Sequence, residues 1–291
     1  MQKALGFIGL GIMGFPIAGH LATNGYKLAV FNRTLRKSQD WIKKYNGTLC
    51  ESLSELAESS EVIFLCVGND VDVKNIINGD DGIINYLKPG TILIDHTTTS
   101  AELPIELNKS LHLKEVSFLD APVSGGQTGA ESGILSVMVG GNKESYEDVK
   151  EIIGTYSKFI KYMGESGSGQ LTKMVNQICI AGLIQALAEG INFSDEVGLN
   201  TKDVIEVISK GAAQSWQMEN RWETMINGEY DHGFAVDLMR KDLDIILKKA
   251  EKNNIPIDIT KVVNNYYKDI QKAGGGRLDT SSLLKRIKDL I

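Results

Sequence analysis

The start of the chain limits its possible folds more than any other segment. The apolar run Leu5, Gly6, Phe7, Ile8 passes directly into Gly9-Leu10-Gly11-Ile12-Met13-Gly14 and then a helix-like stretch reaching Gly25. Strand, glycine turn and helix in that order open a parallel β-α-β unit. Gly9 permits the tight turn, Gly11 lets the backbone approach a pyrophosphate, and Gly14 lets the helix pack closely on the strand. With Leu10, Ile12 and Met13 between them, they form a candidate phosphate cradle at a helix N-terminus. A second strand, Tyr26 to Phe31, follows where an adenosine ribose is read. The unit reads as a dinucleotide site, the alternative being a purely structural strand-to-helix turn.

The end of that second strand bears on which dinucleotide. An NAD-preferring site places Asp or Glu there for the ribose 2′-OH, whereas this chain has Asn32-Arg33-Thr34. With no carboxylate in the segment to repel a 2′-phosphate, and a guanidinium able to hold one in a forked pair, NADP is expected ahead of NAD. The alternative for Arg33 is a solvated turn residue, or one stacked on the adenine.

At 291 residues the chain suits two domains, and 42% hydrophobic with 23% charged residues is an ordinary globular balance. Lys plus Arg number 31 against 37 Asp plus Glu, a net charge of −6, which argues against a nucleic-acid or anionic-membrane partner. Cys50, Cys66 and Cys179 are odd in number and mostly set in apolar runs, so they read as small core residues in a reducing compartment. No metal site is expected. Met1 leads into the first strand within a few residues, and no apolar run is read as long enough to span a membrane, so a cytoplasmic protein is expected.

Strand-like runs recur at Val62 to Val67, Thr91 to Asp95, Val116 to Leu119, Leu135 to Val139 and Lys158 to Tyr162, separated by helix-length or loop segments. This alternation predicts a mostly parallel sheet covered by helices. Beyond about residue 165 helical spacing takes over. Gln170 to Gly198 has apolar residues on almost every face and should be a helix enclosed by its neighbours or by a second subunit. Further helices are expected at Lys202 to Ser209, Val236 to Asn253, Thr260 to Lys272 and Ser281 to Leu290, with Gly274-Gly275-Gly276 as a flexible connection. The fold class is therefore α/β: a doubly wound, Rossmann-like sheet over residues 1–165, and an all-α domain over 166–291, joined by a long interdomain helix.

Ligands of an open α/β sheet lie beyond the carboxyl ends of its strands. Cys66 and Val67 are cofactor candidates there, followed by Gly68-Asn69-Asp70. After Asp95 come His96-Thr97-Thr98-Thr99, whose hydroxyls suit a ribose or nicotinamide, or else cap the next helix. After Leu119 comes Asp120-Ala121-Pro122-Val123-Ser124-Gly125-Gly126, where a serine beside paired glycines makes a small concave anion site suited to a carboxylate; the alternative is an ordinary glycine turn. The fourth segment is Gly167-Ser168-Gly169-Gln170-Leu171-Thr172-Lys173-Met174-Val175-Asn176-Gln177. Lost hydration and the positive helix end should lower the pKa of Lys173 from about 10.4 toward neutrality, fitting a general acid/base in alcohol–carbonyl chemistry. The alternative is a lysine snorkelling at a helix end. Asn176 or Gln177 then orients the amine or a substrate hydroxyl.

With these residues in view, the chain resembles the β-hydroxyacid dehydrogenase family nearly end to end: Gly9 to Gly14, Asp120 to Gly126, Gly169 to Gln177, and Phe234 to Leu243 with a second lysine. The resemblance implies that Lys173 is catalytic and that Ser124, Gly125 and Gly126 hold the substrate. It also implies that Thr98 touches the cofactor and that Lys241 with Asp242 closes over the nicotinamide side. The family often has Asn four residues after the lysine, where this chain has Gln177, with Asn176 one position earlier. Trp216, in the amphipathic run Ala213 to Asn220, and Phe234 join the substrate candidates, with packing as the alternative for Trp216. The implied fold agrees with the one read from the residues, and the helical domain is expected to make a homodimer or homotetramer.

The expected function is hydride transfer between a nicotinamide cofactor and a small carboxylate-bearing 3-hydroxy acid or its semialdehyde, NADP preferred and NAD possible. A glyoxylate or succinic semialdehyde reductase, acting on 4-hydroxybutyrate, is an alternative within that chemistry. A non-catalytic dinucleotide-binding scaffold is the alternative from another class. An imine reductase is disfavoured by Lys173, and a 6-phosphogluconate dehydrogenase by the length of the helical half.

Overall fold

A computed structural model describes residues 2–289; Met1 and Leu290, the expected end of the last helix, lie outside the described residues. The chain divides into two compact units, one up to Lys173 and one from Met174 onward.

The first unit is a sheet of nine strands: β1 (Leu5–Ile8), β2 (Leu28–Phe31), β3 (Thr48–Leu49), β4 (Val62–Leu65), β5 (Ile92–Asp95), β6 (Ser117–Asp120), β7 (Val123–Ser124), β8 (Leu135–Gly140) and β9 (Ser157–Gly164). Its helices are α1 (Gly14–Thr23), α2 (Leu35–Lys44), α3 (Leu53–Glu58), α4 (Asp70–Asn78), α5 (Glu102–His112), α6 (Gly126–Glu131) and α7 (Lys143–Ile153). The strand order is β3-β2-β1-β4-β5-β6-β8-β7, with β9 beside β8. Strands β3 through β6 are parallel, β8 runs against β6 and β7, and β9 lies parallel to β8. Strand order reverses beside β1, which pairs Leu5 with Leu28 on one side and with Val62 on the other. Such a switch point is where open α/β sheets bind ligands.

The central strands β1, β2 and β4 are apolar throughout, as strands with helices on both faces are. Phe7, Val30, Phe64 and Ile94 pack with Ile17 and Leu21 of α1 on one face. Ile8, Ile63, Leu65, Leu93 and Phe118 pack with Leu56, Val73, Ile77, Leu103 and Leu107 on the other. The two-residue strands β3 and β7 escaped the sequence reading because a pair of residues carries no alternation to detect.

The helix α8 (Ser168–Glu196) runs from the first unit into the second, which also contains α9 (Thr201–Ile208), α10 (Trp216–Asn227), α11 (Val236–Lys252), α12 (Asp258–Lys272) and α13 (Leu283–Asp289). Helix α10 is not among those expected from the sequence, although its ends are marked. Ser215 Oγ accepts from Met218 N at the start, and Gly228 at φ 72° closes the end. Thr280 to Ser282 form a short 3₁₀ turn, so α13 begins after the expected Ser281.

One expectation about α8 needs correction. By length and composition it is apolar enough to cross a membrane: it has 29 residues, and an 18-residue stretch of it has a mean hydropathy of 1.4. Ala181, Ile184, Ala188 and Ile191 are nonetheless buried, as in a core helix. Of the two enclosures expected from the sequence, its neighbours within the chain supply only part, since Leu171, Val175, Leu183 and Phe193 of α8 are exposed. Cys179 lies on this outward face and is exposed, against the expectation of a core cysteine, whereas Cys50 is buried. Helical spacing from Val175 turns position 179 outward.

Candidate active site

The glycine turn has the geometry that its three positions require. Gly9 sits at φ 98°, and a Cβ there would fall 2.3 Å from the carbonyl oxygen of Cys66. A Cβ on Gly14 would fall 1.9 Å from the oxygen of Gly9, so only glycine lets α1 start this close to the strand. Around Gly11 nothing lies within 4 Å of the Cβ position. The N-terminus of α1 has no side-chain cap. An open backbone face at an uncapped helix start after β1 fits the pyrophosphate of a dinucleotide.

The neighbouring cofactor candidates have more specific places. Asn32 Oδ1 accepts from Leu10 N at 2.9 Å and its Nδ2 donates to Thr34 O at 3.1 Å, so this side chain braces the glycine turn. The Leu10 N–H is thereby engaged within the protein. Arg33 is 90% exposed at its side chain, but Asp72 Oδ1 stands 3.6 Å from its guanidinium. The carboxylate absent from the end of β2 thus arrives from the first turn of α4. Val67 N donates to Thr97 Oγ1 at 3.0 Å, and burial pushes the Cys66 thiol up to about 12.

The loop after β5 is largely structural, with one partly exposed threonine. His96 is buried, with Nδ1 2.6 Å from Ala121 O and Nε2 2.9 Å from the Tyr156 hydroxyl, and burial lowers its pKa to about 4. Thr97 and Thr99 are buried, and neither hydroxyl caps α5; Thr98 alone of the three is partly exposed. After β6, Ser124 and Gly125 are partly exposed and Gly126 exposed, and both glycines have positive φ (135° and 64°).

The start of α8 is held by the ends of β5 and β6. Asp120 is fully buried; its Oδ1 accepts from Gly167 N at 2.8 Å and its Oδ2 from Gln170 N at 2.9 Å. Gln170, also buried, accepts from Thr99 N at 3.0 Å and donates to Thr97 O at 2.8 Å. Lys173, 7% exposed, follows Gln170 by three residues, about 4.5 Å along the axis. Burial raises Asp120 to about 6, against the pull of the N–H groups of Gly167 and Gln170.

In the second unit the candidates form two groups. Gln177, 2% exposed, donates to Asp242 Oδ2 at 2.7 Å, while Lys241 Nζ stands 3.1 Å from Asp242 Oδ1. Asn176, partly exposed, donates to Gln177 Oε1 at 2.8 Å. The other group is centred on the buried Asp279, which accepts from Phe234 N at 2.8 Å and lies 3.4 Å from Arg221 Nε. The Arg221 guanidinium sits 5.0 Å from the centroid of the exposed Trp216 ring. Sequence reasoning gave no role to Asp120, Gln170, Asp72 or Asp279. Asp120 opens a glycine-rich motif and Gln170 stands between two glycines and the lysine, which is the only local signal of them.

Residues 4–164 match the NAD binding domain of 6-phosphogluconate dehydrogenase, and residues 167–287 match the NAD-binding family model of NADP-dependent 3-hydroxyisobutyrate dehydrogenase. An uncharacterized oxidoreductase of Shewanella frigidimarina is 49% identical over 97% of both chains. The 2-hydroxy-3-oxopropionate reductase of Escherichia coli is 33% identical over 98% of this chain and 97% of its own. The crystal structure of 3-hydroxyisobutyrate dehydrogenase from Salmonella typhimurium superposes with a TM-score of 0.86 at 25% identity, covering 98% and 99% of the two chains. A glycine turn shaped for a dinucleotide, a buried lysine on a helix anchored at the ends of β5 and β6, and these matches along the whole chain agree: it belongs to the β-hydroxyacid dehydrogenase family of NAD(P)-dependent oxidoreductases.

Proposed function

We propose that the protein is an NADP-preferring enzyme that interconverts a small 3-hydroxy acid and its semialdehyde, with Lys173 as general acid/base. The observation that carries this reading is the burial of Lys173 one turn beyond a helix start tied to the ends of β5 and β6, the strands whose following loops bear Thr98 and Ser124. The nicotinamide supplies or accepts the hydride when the cofactor is bound. In reduction the Lys173 ammonium gives a proton to the developing alkoxide, and in oxidation the neutral amine takes it from the hydroxyl. The Ser124 hydroxyl and the backbone of Gly125 and Gly126 hold the substrate carboxylate, which fixes the carbonyl relative to the amine. The relative that reduces 2-hydroxy-3-oxopropionate supports a three-carbon semialdehyde as the substrate class. Arg33 favours the 2′-phosphate, and the partly exposed Asn176 is the better candidate to meet substrate than the engaged Gln177. The exposed apolar face of α8 supports self-association through the helical unit.

The test is a panel of 3-hydroxyisobutyrate, 3-hydroxypropionate, glycerate, serine and 4-hydroxybutyrate, and the corresponding semialdehydes, each with NADP(H) and NAD(H), for wild type and Lys173→Ala. Turnover of a three-carbon substrate that falls by about a hundredfold or more in the variant supports the reading. Equal rates in the two proteins refute the role of Lys173.

A further inference from the structure

We propose that Asp120 is a positioning residue: by capping α8 from the end of β6, its carboxylate fixes Lys173 relative to the loop that carries Ser124. This rests on the reading of Lys173 given above. A helix start leaves several N–H groups without partners, and the usual remedy is a side chain at the residue just before the first turn. That residue here is Gly167, which has none. The acceptor comes from 47 and 50 residues earlier in the chain, with Asp120 Oδ1 on Gly167 N and Oδ2 on Gln170 N. A negative charge at this position also complements the positive end of a 29-residue helix.

The surrounding glycines make room for this one side chain. A Cβ on Gly169 would lie 2.5 Å from Asp120 O and 2.8 Å from its Oδ2, and a Cβ on Gly140 would lie 2.7 Å from Oδ1. Gly140 is the residue paired with Asp120 across the β6–β8 ladder. The carboxylate therefore stands where two chain segments cross. Four residues beyond it is Ser124, and three residues beyond its partner Gln170 is Lys173. Asp120 makes both contacts with backbone N–H groups, so it holds the main chain of the helix start directly. Gln170 adds a second tie, to the backbone of Thr97 and Thr99, but only Asp120 belongs to the strand that leads into the serine loop.

The experiment is a double-mutant cycle on the rate of semialdehyde-dependent NADPH oxidation, followed at enzyme concentrations in excess of substrate so that slow variants are measurable. The four proteins are wild type, Asp120→Asn, Lys173→Ala and the double variant. Dinucleotide affinity is measured in parallel by fluorescence titration. The amide of Asp120→Asn turns an NH2 toward one of two N–H donors, and the resulting shift of the helix start is expected to lower kcat by about ten- to a hundredfold. Dinucleotide affinity should stay within about twofold, and the loss should disappear in the Lys173→Ala background. A kcat like wild type in Asp120→Asn, or the same loss in both backgrounds, overturns the positioning role while leaving that of Lys173 intact. Wild-type rates in Lys173→Ala alone refute the underlying reading instead. If Asp120→Asn loses dinucleotide binding altogether, Gly169→Ala takes its place, because its methyl displaces the helix start with the carboxylate kept. The same loss of kcat is expected there, and an unchanged kcat overturns the proposal.

Discussion

Gln177 donates its amide to Asp242 across 2.7 Å, and both side chains are buried. Lys241 stands on the other oxygen of the same carboxylate, so Asp242 joins α8 to Lys241 of α11. Removing the amide leaves a buried charge short of one donor. Gln177→Leu should cost about 1.5–3 kcal/mol, measured by calorimetry or urea unfolding. Asn176→Ala, on the partly exposed neighbour, should cost under about 1 kcal/mol and show its effect in KM. A Gln177→Leu protein as stable as wild type would contradict the buried pair.

Asp95 and Asp120 face each other across β5 and β6. Burial raises Asp95 to about 7, with Asp120 and Asp70 adding to the rise and Thr97 opposing it; Asp120 is raised to about 6. A carboxyl whose folded pKa lies above its unfolded value near 3.8 holds a proton in the folded state that the unfolded chain releases. Its contribution to stability is full below about pH 4 and is lost as pH rises through the folded value. His96 acts in the opposite direction, because burial lowers it to about 4 and stability is lost as pH falls from 6.5 toward that value. Asp95→Asn keeps an acceptor for Thr97 N and removes the ionisation. Its stability relative to wild type should therefore improve between pH 5 and pH 8 in thermal unfolding. A difference independent of pH would exclude an ionisable, strained Asp95.

Arg33 and Asp72 stand 3.6 Å apart with opposite charges at the end of β2. On the proposed reading the guanidinium attracts a 2′-phosphate, and the carboxylate 3.6 Å from it offsets its charge and would repel the same phosphate. Arg33→Ala should lower the ratio of kcat/KM for NADP over NAD by about tenfold or more, and Asp72→Asn should raise it several-fold. If Asp72→Asn shifts the ratio toward NAD, the aspartate serves to hold Arg33 in place and not to restrain it.

What could be read from the sequence was local. Leu5 to Ile8 and the three glycines declare themselves within ten residues, and β1 and β4 are unbroken apolar runs. The parts that escaped are made by residues far apart. Asp120 meets its partners 47 and 50 positions later, Asp72 reaches Arg33 from α4, the third helix after it, and Asp279 gathers Phe234 and Arg221. The exposed Trp216 at its start and scattered apolar residues also hid α10, whose cap at Ser215 was the better signal. Periodicity finds elements, whereas a carboxylate bridging two of them has no period.

Gly9, Gly11 and Gly14 should separate cleanly when each is changed to alanine. A methyl on Gly14 meets the oxygen of Gly9 at 1.9 Å, and one on Gly9 meets that of Cys66 at 2.3 Å in a conformation of positive φ, so both variants should be destabilised by about 2 kcal/mol or more. A methyl on Gly11 has nothing within 4 Å. Gly11→Ala should therefore unfold within about 0.5 kcal/mol of wild type yet bind dinucleotide about tenfold or more weakly, since the methyl stands where the pyrophosphate must approach the backbone. Thermal unfolding with and without NADPH reads both quantities, because a ligand raises stability only in proportion to its affinity for the folded state. Loss of stability without loss of binding in Gly11→Ala would show that the open face of the turn is not where the phosphates lie.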